Sequence, residues 1–113
     1  MQLSELRDIL EAEVLCGEDR LNEDISGIFA SDMMSDVLAC PDELECLLTG
    51  LINSQVVRTA DMMDISVIVY VRGKYPAEDV VEMARQRDMV VLVTACRMFS
   101  ACGRLYGAGL GQR

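Results

Sequence analysis

The stretch Ile65-Ser66-Val67-Ile68-Val69-Tyr70-Val71 decides the fold. It is β-branched almost throughout, and such side chains favour an extended, pleated backbone over a helix. A strand with one wet face would alternate apolar and polar residues. This run is apolar nearly without a break, which predicts a strand covered on both faces, as in parallel sheets flanked by helices. Two further runs read the same way: Glu45-Cys46-Leu47-Leu48-Thr49-Gly50 before it and Met89-Val90-Val91-Leu92-Val93-Thr94 after it. Helical patterns fill the gaps. Asn53 is placed to cap a helix whose buried face carries Val56, Ala60 and Met63. Arg72-Gly73-Lys74-Tyr75 turns the chain into a second helix, with Pro76 in its first turn. Glu78 and Asp79 suit its positive end, Arg85 and Arg87 its negative end, and Val80, Met83 and Ala84 face inward. Met98, Cys102 and Leu105 mark the inner face of the last helix. Strand and helix in regular alternation predict an α/β fold: a three-layer sandwich with a mostly parallel sheet flanked by helices.

The first part of the chain is less regular. Leu3, Leu6, Ile9 and Leu10 draw one apolar stripe along a helix over 3–12, with Ser4 and Glu5 at its positive end. Glu13-Val14-Leu15-Cys16 reads as a short strand that turns at Gly17, followed by an acidic loop over 18–24. A strand is expected over Ile25 to Ala30, weakened by Gly27. Ser31 or Asp32 would cap a brief helix through Val37 and Leu38, which Pro41 stops. Gly107, Gly109 and Gly111 read as a fraying tail.

With 113 residues the chain is expected to form one domain, 1–113. It carries 51% hydrophobic residues but only 4% aromatic ones and no Trp, so Val, Ile, Leu and eight Met fill the core. The formal net charge of −9 opposes binding to nucleic acid and to anionic membranes. Met1 to Leu6 has neither the basic start nor the apolar run of a signal peptide, and no segment is long and apolar enough to span a bilayer. Five cysteines in apolar surroundings are expected to be reduced thiols, as in the cytoplasm.

Five segments, in this order and spacing, resemble a DRTGG domain: Ala12-Glu13-Val14-Leu15, Leu47-Leu48-Thr49-Gly50, Val57-Arg58-Thr59-Ala60, Ile68-Val69-Tyr70-Val71-Arg72-Gly73 and Val91-Leu92-Val93-Thr94. That module occurs alone in bacteria and archaea, and within phosphotransacetylases and pyrophosphatases containing CBS domains. The family often has a second Gly and an acidic residue after the Thr-Gly turn, where this chain has Leu51-Ile52-Asn53. The resemblance implies a regulatory or dimerising α/β module without established chemistry. Members that stand alone are encoded near iron hydrogenase or histidine-kinase-like genes, which implies a redox or signalling context.

Ligands of open α/β sheets sit outside the carboxyl ends of the strands. The candidate ligand-binding residues at those ends are Thr49, Gly50, Asn53, Arg72, Gly73, Thr94 and Arg97. The helix starting at Asn53 offers free N–H groups to a phosphate or carboxylate, and Arg72, Lys74 and Arg97 bring positive charge to the rim of an acidic chain. The plainer reading is that Thr49, Asn53 and Thr94 cap turns and that the cations are solvated. Arg58 and Thr59 either reach a partner or lie along their own helix. Cys40, Cys46, Cys96 and Cys102 lack the close pairing of metal sites, and without His the ligand set is poor, so no metal or cofactor is expected. No His and no nucleophile–base pair supports catalysis. In each of Met33-Met34 and Met62-Met63 one side chain must leave the buried stripe, offering a soft surface to a partner, of which a second copy is the simplest.

The expected function is therefore a non-catalytic regulatory, sensory or adaptor module, a homodimer, possessing a site for a small anionic ligand such as a nucleotide or phosphorylated metabolite. A purely structural docking domain for a partner enzyme or signalling protein, in a hydrogenase or signalling context, is the alternative. A small phosphotransfer or hydrolytic enzyme is the third.

Overall fold

A computed structural model describes residues 1–111. The chain runs α1 (Leu3–Leu10), β1 (Glu13–Cys16), a 3-10 turn (Glu18–Arg20), β2 (Ile28–Ala30), α2 (Met34–Ala39), β3 (Cys46–Thr49), α3 (Ser54–Met62), β4 (Val67–Tyr70), α4 (Glu78–Gln86), β5 (Val90–Val93) and α5 (Met98–Gly107). The five strands form one sheet in the order β1-β5-β4-β3-β2. Strands β2 to β5 are parallel, and β1 joins the β5 edge antiparallel.

Alternation along the buried strands divides the core in two. Leu47, Ile68, Tyr70, Val91 and Val93 point to α2, α3 and α4, where they meet Met34, Val37, Val56, Val57, Ala60, Val80 and Ala84. Cys46, Leu48, Val67, Val69 and Leu92 point to the other face, against Leu3, Leu6 and Leu10 of α1 and Ala101 and Leu105 of α5. Every residue of β3, β4 and β5 is buried. The three-layer α/β sandwich expected from the apolar runs is the observed architecture.

Several local expectations change. Residues 25–27 do not join β2, which starts at Ile28, because Gly27 is the point where two backbones touch. Its carbonyl accepts from the N–H groups of Glu45 and Cys46, at 2.9 and 3.0 Å. Asp32 does not cap α2, whose N-cap is Met33; its carboxylate goes to β3 instead. Pro76 stands just before α4, whose N-cap is Ala77, and not within it. The glycine-rich end does not fray over its described residues: α5 continues to Gly107, and Leu110 folds back into the core at 5% exposure. In each methionine pair one member is exposed, Met33 at 59% and Met62 at 71%, while Met34 is buried and Met63 half-buried.

Glu45 is the electrostatic fastening of this region. One of its carboxylate oxygens accepts from the Ser26 and Gly27 N–H groups and the Ser26 hydroxyl, at 2.8, 3.1 and 2.9 Å. The backbone donors at Gly27 and Ser26 hold its carboxyl below the usual glutamate value of 4.5. A carboxyl with a depressed folded-state pKa stabilises the fold above its unfolded value, and that contribution is lost as pH falls through the folded one. Denaturant unfolding of the wild type should show stability declining on acidification below the ordinary glutamate range. In Glu45→Gln that part of the decline should be missing; an unchanged profile would refute the assignment.

Candidate functional site

The carboxyl ends of β2, β3, β4 and β5 lie along one edge of the sheet, because the strands are parallel neighbours. The chain leaves β4 for α4 on one face and leaves β5 for α5 on the other. Adjacent exits that diverge in this way open a crevice at the strand ends. Here that crevice is bridged by backbone. The Arg72 N–H donates to the Cys96 carbonyl at 2.8 Å, and the Gly73 N–H donates to the Thr94 carbonyl at 2.9 Å. What remains accessible is the rim over the ends of β3 and β4.

Asp32, absent from the sequence candidates, organises that rim. One carboxylate oxygen accepts from the Gly50 N–H at 2.7 Å and from the Thr49 hydroxyl at 3.1 Å. The other lies 3.6 Å from the Arg72 guanidinium. Thr49 Oγ1 also accepts from the Leu51 N–H at 3.1 Å, so its hydroxyl is satisfied on both sides. The guanidinium lies directly over Gly50: a Cβ at that position would fall 2.1 Å from an Arg72 nitrogen. Gly50 is thus the floor on which Arg72 rests. Asp32 lies 17 residues from Thr49, and its sequence signal was that of a helix cap.

Arg72 occupies this position at a conformational cost. Its φ is +62°, in the left-handed region. The other described non-glycine residues with positive φ, Glu11, Asp64 and Asp88, stand just beyond α1, α3 and α4. Left-handed residues are ordinary at helix ends, but Arg72 follows a strand. A left-handed non-glycine residue costs about 1–2 kcal/mol, whereas an ion pair as exposed as Arg72–Asp32 returns at most about 1 kcal/mol. The ion pair alone does not offset this cost; the backbone bonds of Arg72 to Cys96, of Gly73 to Thr94 and of Lys74 to Val71 hold the turn.

The remaining candidates divide. Asn53 caps α3, its Oδ1 accepting from the Gln55 N–H at 3.1 Å. Thr94 is 1% exposed; its hydroxyl donates to the Leu10 carbonyl at 2.7 Å and accepts from the Cys96 N–H at 3.1 Å. Its hydroxyl is engaged inside the fold, as the capping reading expected. Gly73 continues the left-handed turn with φ +65° and pins the β4 exit to the β5 exit. Arg97 is the exposed N-cap of α5. Among the described residues, Lys74, Arg97 and Arg58 have no carboxylate within ion-pair distance, while the other cations do. Two of those three flank the rim. Thr59 is buried on α3, and Arg58 beside it is exposed.

The cysteines are all free thiols. Burial pushes the Cys16 and Cys102 thiols up, and Cys46, fully enclosed, much further. Among the described residues, no group of three or more His, Cys, Asp or Glu is placed to hold a metal, and no helix is long and apolar enough to cross a membrane.

The geometry is that of a mostly parallel α/β sandwich with a cationic rim, which is the class of domain the strand pattern predicts. No protein-family model matches the chain, and no curated protein matches it in sequence. Among solved structures it is similar to the CBS and DRTGG domains of the regulatory region of Clostridium perfringens pyrophosphatase, a structure complexed with its activator, diadenosine tetraphosphate. The TM-score is 0.72 at 17% identity over 92% of this chain, and the chain spans 45% of the length of that structure. The likeness is one of fold.

Proposed function

We propose that this chain is a regulatory module without catalysis of its own, which binds a small polyanion such as a nucleotide or phosphorylated metabolite and transmits its presence to a partner enzyme. The observation that carries the reading is Arg72, held in a left-handed conformation after a strand and steered over Gly50 by Asp32. The turn is held by the backbone bonds of Arg72 to Cys96 and of Gly73 to Thr94, and it delivers the Arg72 guanidinium to the rim. An unusual backbone conformation that carries a cation there marks a candidate site. Lys74 and Arg97 add charge beside Arg72, and the N-terminus of α3 at Asn53 adds free backbone donors. Thr49 and Asp32 hold the floor of the site, while Gly73 and Thr94 fix the loops around it. The C. perfringens regulatory region, with its diadenosine tetraphosphate activator, is consistent with a ligand of this class.

Calorimetric titration with diadenosine tetraphosphate, ATP and pyrophosphate tests the reading. At least one should bind, and Arg72→Gly should weaken it by at least about tenfold, the loss of one charge-assisted contact. The same substitution should leave thermal stability unchanged or raise it, because glycine adopts the left-handed conformation without strain. Absence of binding by all three compounds, or affinity unaffected by Arg72→Gly and by Lys74→Ala with Arg97→Ala, would refute the proposal.

A further inference from the structure

The two faces of the sheet are unequally covered. Three helices pack on one side, but only α1 and α5 pack on the other. The shortfall falls over β2 and the adjoining part of β3, where Ile28, Ala30 and Leu48 floor a groove of about 440 Å³ walled by α5. Helix α5 therefore carries two apolar stripes. Ala101 and Leu105 face the core. Phe99, Cys102, Gly103 and Tyr106, at spacings of three, four and seven, face the groove. Arg104 points the other way, towards α1, where it reaches the Ile9 carbonyl and Glu11.

We propose that this groove is the interface between two copies of the chain, with α5 packing antiparallel against α5 of the second copy across a two-fold axis between Cys102 and Gly103. The stripe favours this occupant because it reads the same in both directions: an aromatic, two small residues, an aromatic. Phe99 and Tyr106 are equidistant from the centre of the pair, so antiparallel packing sets Phe99 of each copy against Tyr106 of the other. The small residues let the helix axes approach, and no atom of the described residues lies within 4 Å of where a Gly103 Cβ would stand. A closed two-fold contact requires this kind of self-complementary patch. Charge agrees. The chain has 19 acidic residues, yet none lines the groove, so two acidic molecules can meet here without placing carboxylates face to face. Area agrees as well. Phe99 is 92% exposed and Tyr106 60% exposed. Together they leave about 300 Å² of aromatic surface in water, over a third of the about 800 Å² per partner that a stable interface takes. The exposed Met33, the N-cap of α2, and Met62, the last residue of α3, lie outside this surface.

Sedimentation equilibrium of the full chain from about 5 to about 500 µM, the range in which interfaces of modest size assemble, provides the test. A dimer is expected, weakened at least about tenfold by Phe99→Asp and by Gly103→Arg, as for central interface residues. Both positions are solvent-facing in the monomer, so circular dichroism and melting of the diluted variants should match the wild type. Gly103→Ala separates interface from fold: it should stabilise the isolated chain, since alanine is the better helix former, while loosening the dimer. Arg72→Gly should leave dimerisation unchanged, so the interface and the anion site stand or fall separately. A wild type monomeric throughout, or a dimer indifferent to both Phe99→Asp and Gly103→Arg, would overturn the proposal, as would occupation of the groove by an apolar ligand or a foreign peptide in preference to a second copy.

Discussion

Gly27→Ala is expected to lower stability by about 3 kcal/mol or more, far beyond the ordinary effect of such a change on a loop. The Cβ would stand 2.2 Å from the carbonyl oxygen of Glu43 and 3.3 Å from the Leu44 Cα. Both are backbone atoms, so no rotamer change relieves the overlap. Nor can the segment withdraw cheaply, because Gly27 is bound at both of its polar groups: its N–H to the Glu45 carboxylate and its carbonyl to the Glu45 and Cys46 N–H groups. Opening the clash breaks bonds that start β3. Urea denaturation should show the loss as a lower midpoint with an unchanged slope. Gly50→Ala provides the contrast. There the added Cβ meets the far end of the Arg72 side chain, which can swing away, so the fold should tolerate the change while the rim loses its arrangement. Equal damage from the two alanines would contradict this account.

Thr94→Val should cost about 2–4 kcal/mol, because it orphans two backbone groups at once. The side chain is 1% exposed, and its hydroxyl joins the end of α1, through the Leu10 carbonyl, to the first turn after β5, through the Cys96 N–H. Valine fills nearly the same volume, so packing is conserved and the measured loss reports the hydrogen bonds. Thr94→Ser retains the hydroxyl and should recover most of the stability. If valine and threonine melted together, the clamp would be illusory. The same bonds tie α1 to the loop carrying Arg97, so Thr94→Val should also disturb the rim without contributing a contact to any ligand.

The layers of the fold were legible because the deciding signals are local. The apolar runs over 46–49, 67–70 and 90–93 could only be satisfied by strands covered on both faces, and the patterns between them match α3 and α4. The β3, β4 and β5 exits that carry the predicted site residues do lie on one edge. Other features escaped because they are tertiary. The antiparallel placement of β1 rests on long-range pairing, Glu13 with Val93 and Val14 with Leu92, which four residues cannot state. Asp32 had the composition of a helix cap, yet a longer-range partner, the Gly50 N–H, competes successfully for its carboxylate. Leu110 is one apolar residue among glycines, too little for a periodicity, and only the groove end it fills explains its burial. Tyr70 read as an ordinary strand residue, but its hydroxyl is enclosed with no hydrogen-bond partner among the described residues, and burial pushes its pKa up to about 12.

The borders of the sheet bear on how the molecule behaves at high concentration. A long flat border offers unpaired backbone groups on which further strands can template, the route to fibrils. One border here, β2, is three residues long, and the other, β1, has its register broken between Val14 and Cys16. Neither presents an uninterrupted row of donors and acceptors, so concentrated solutions should remain free of cross-β polymer.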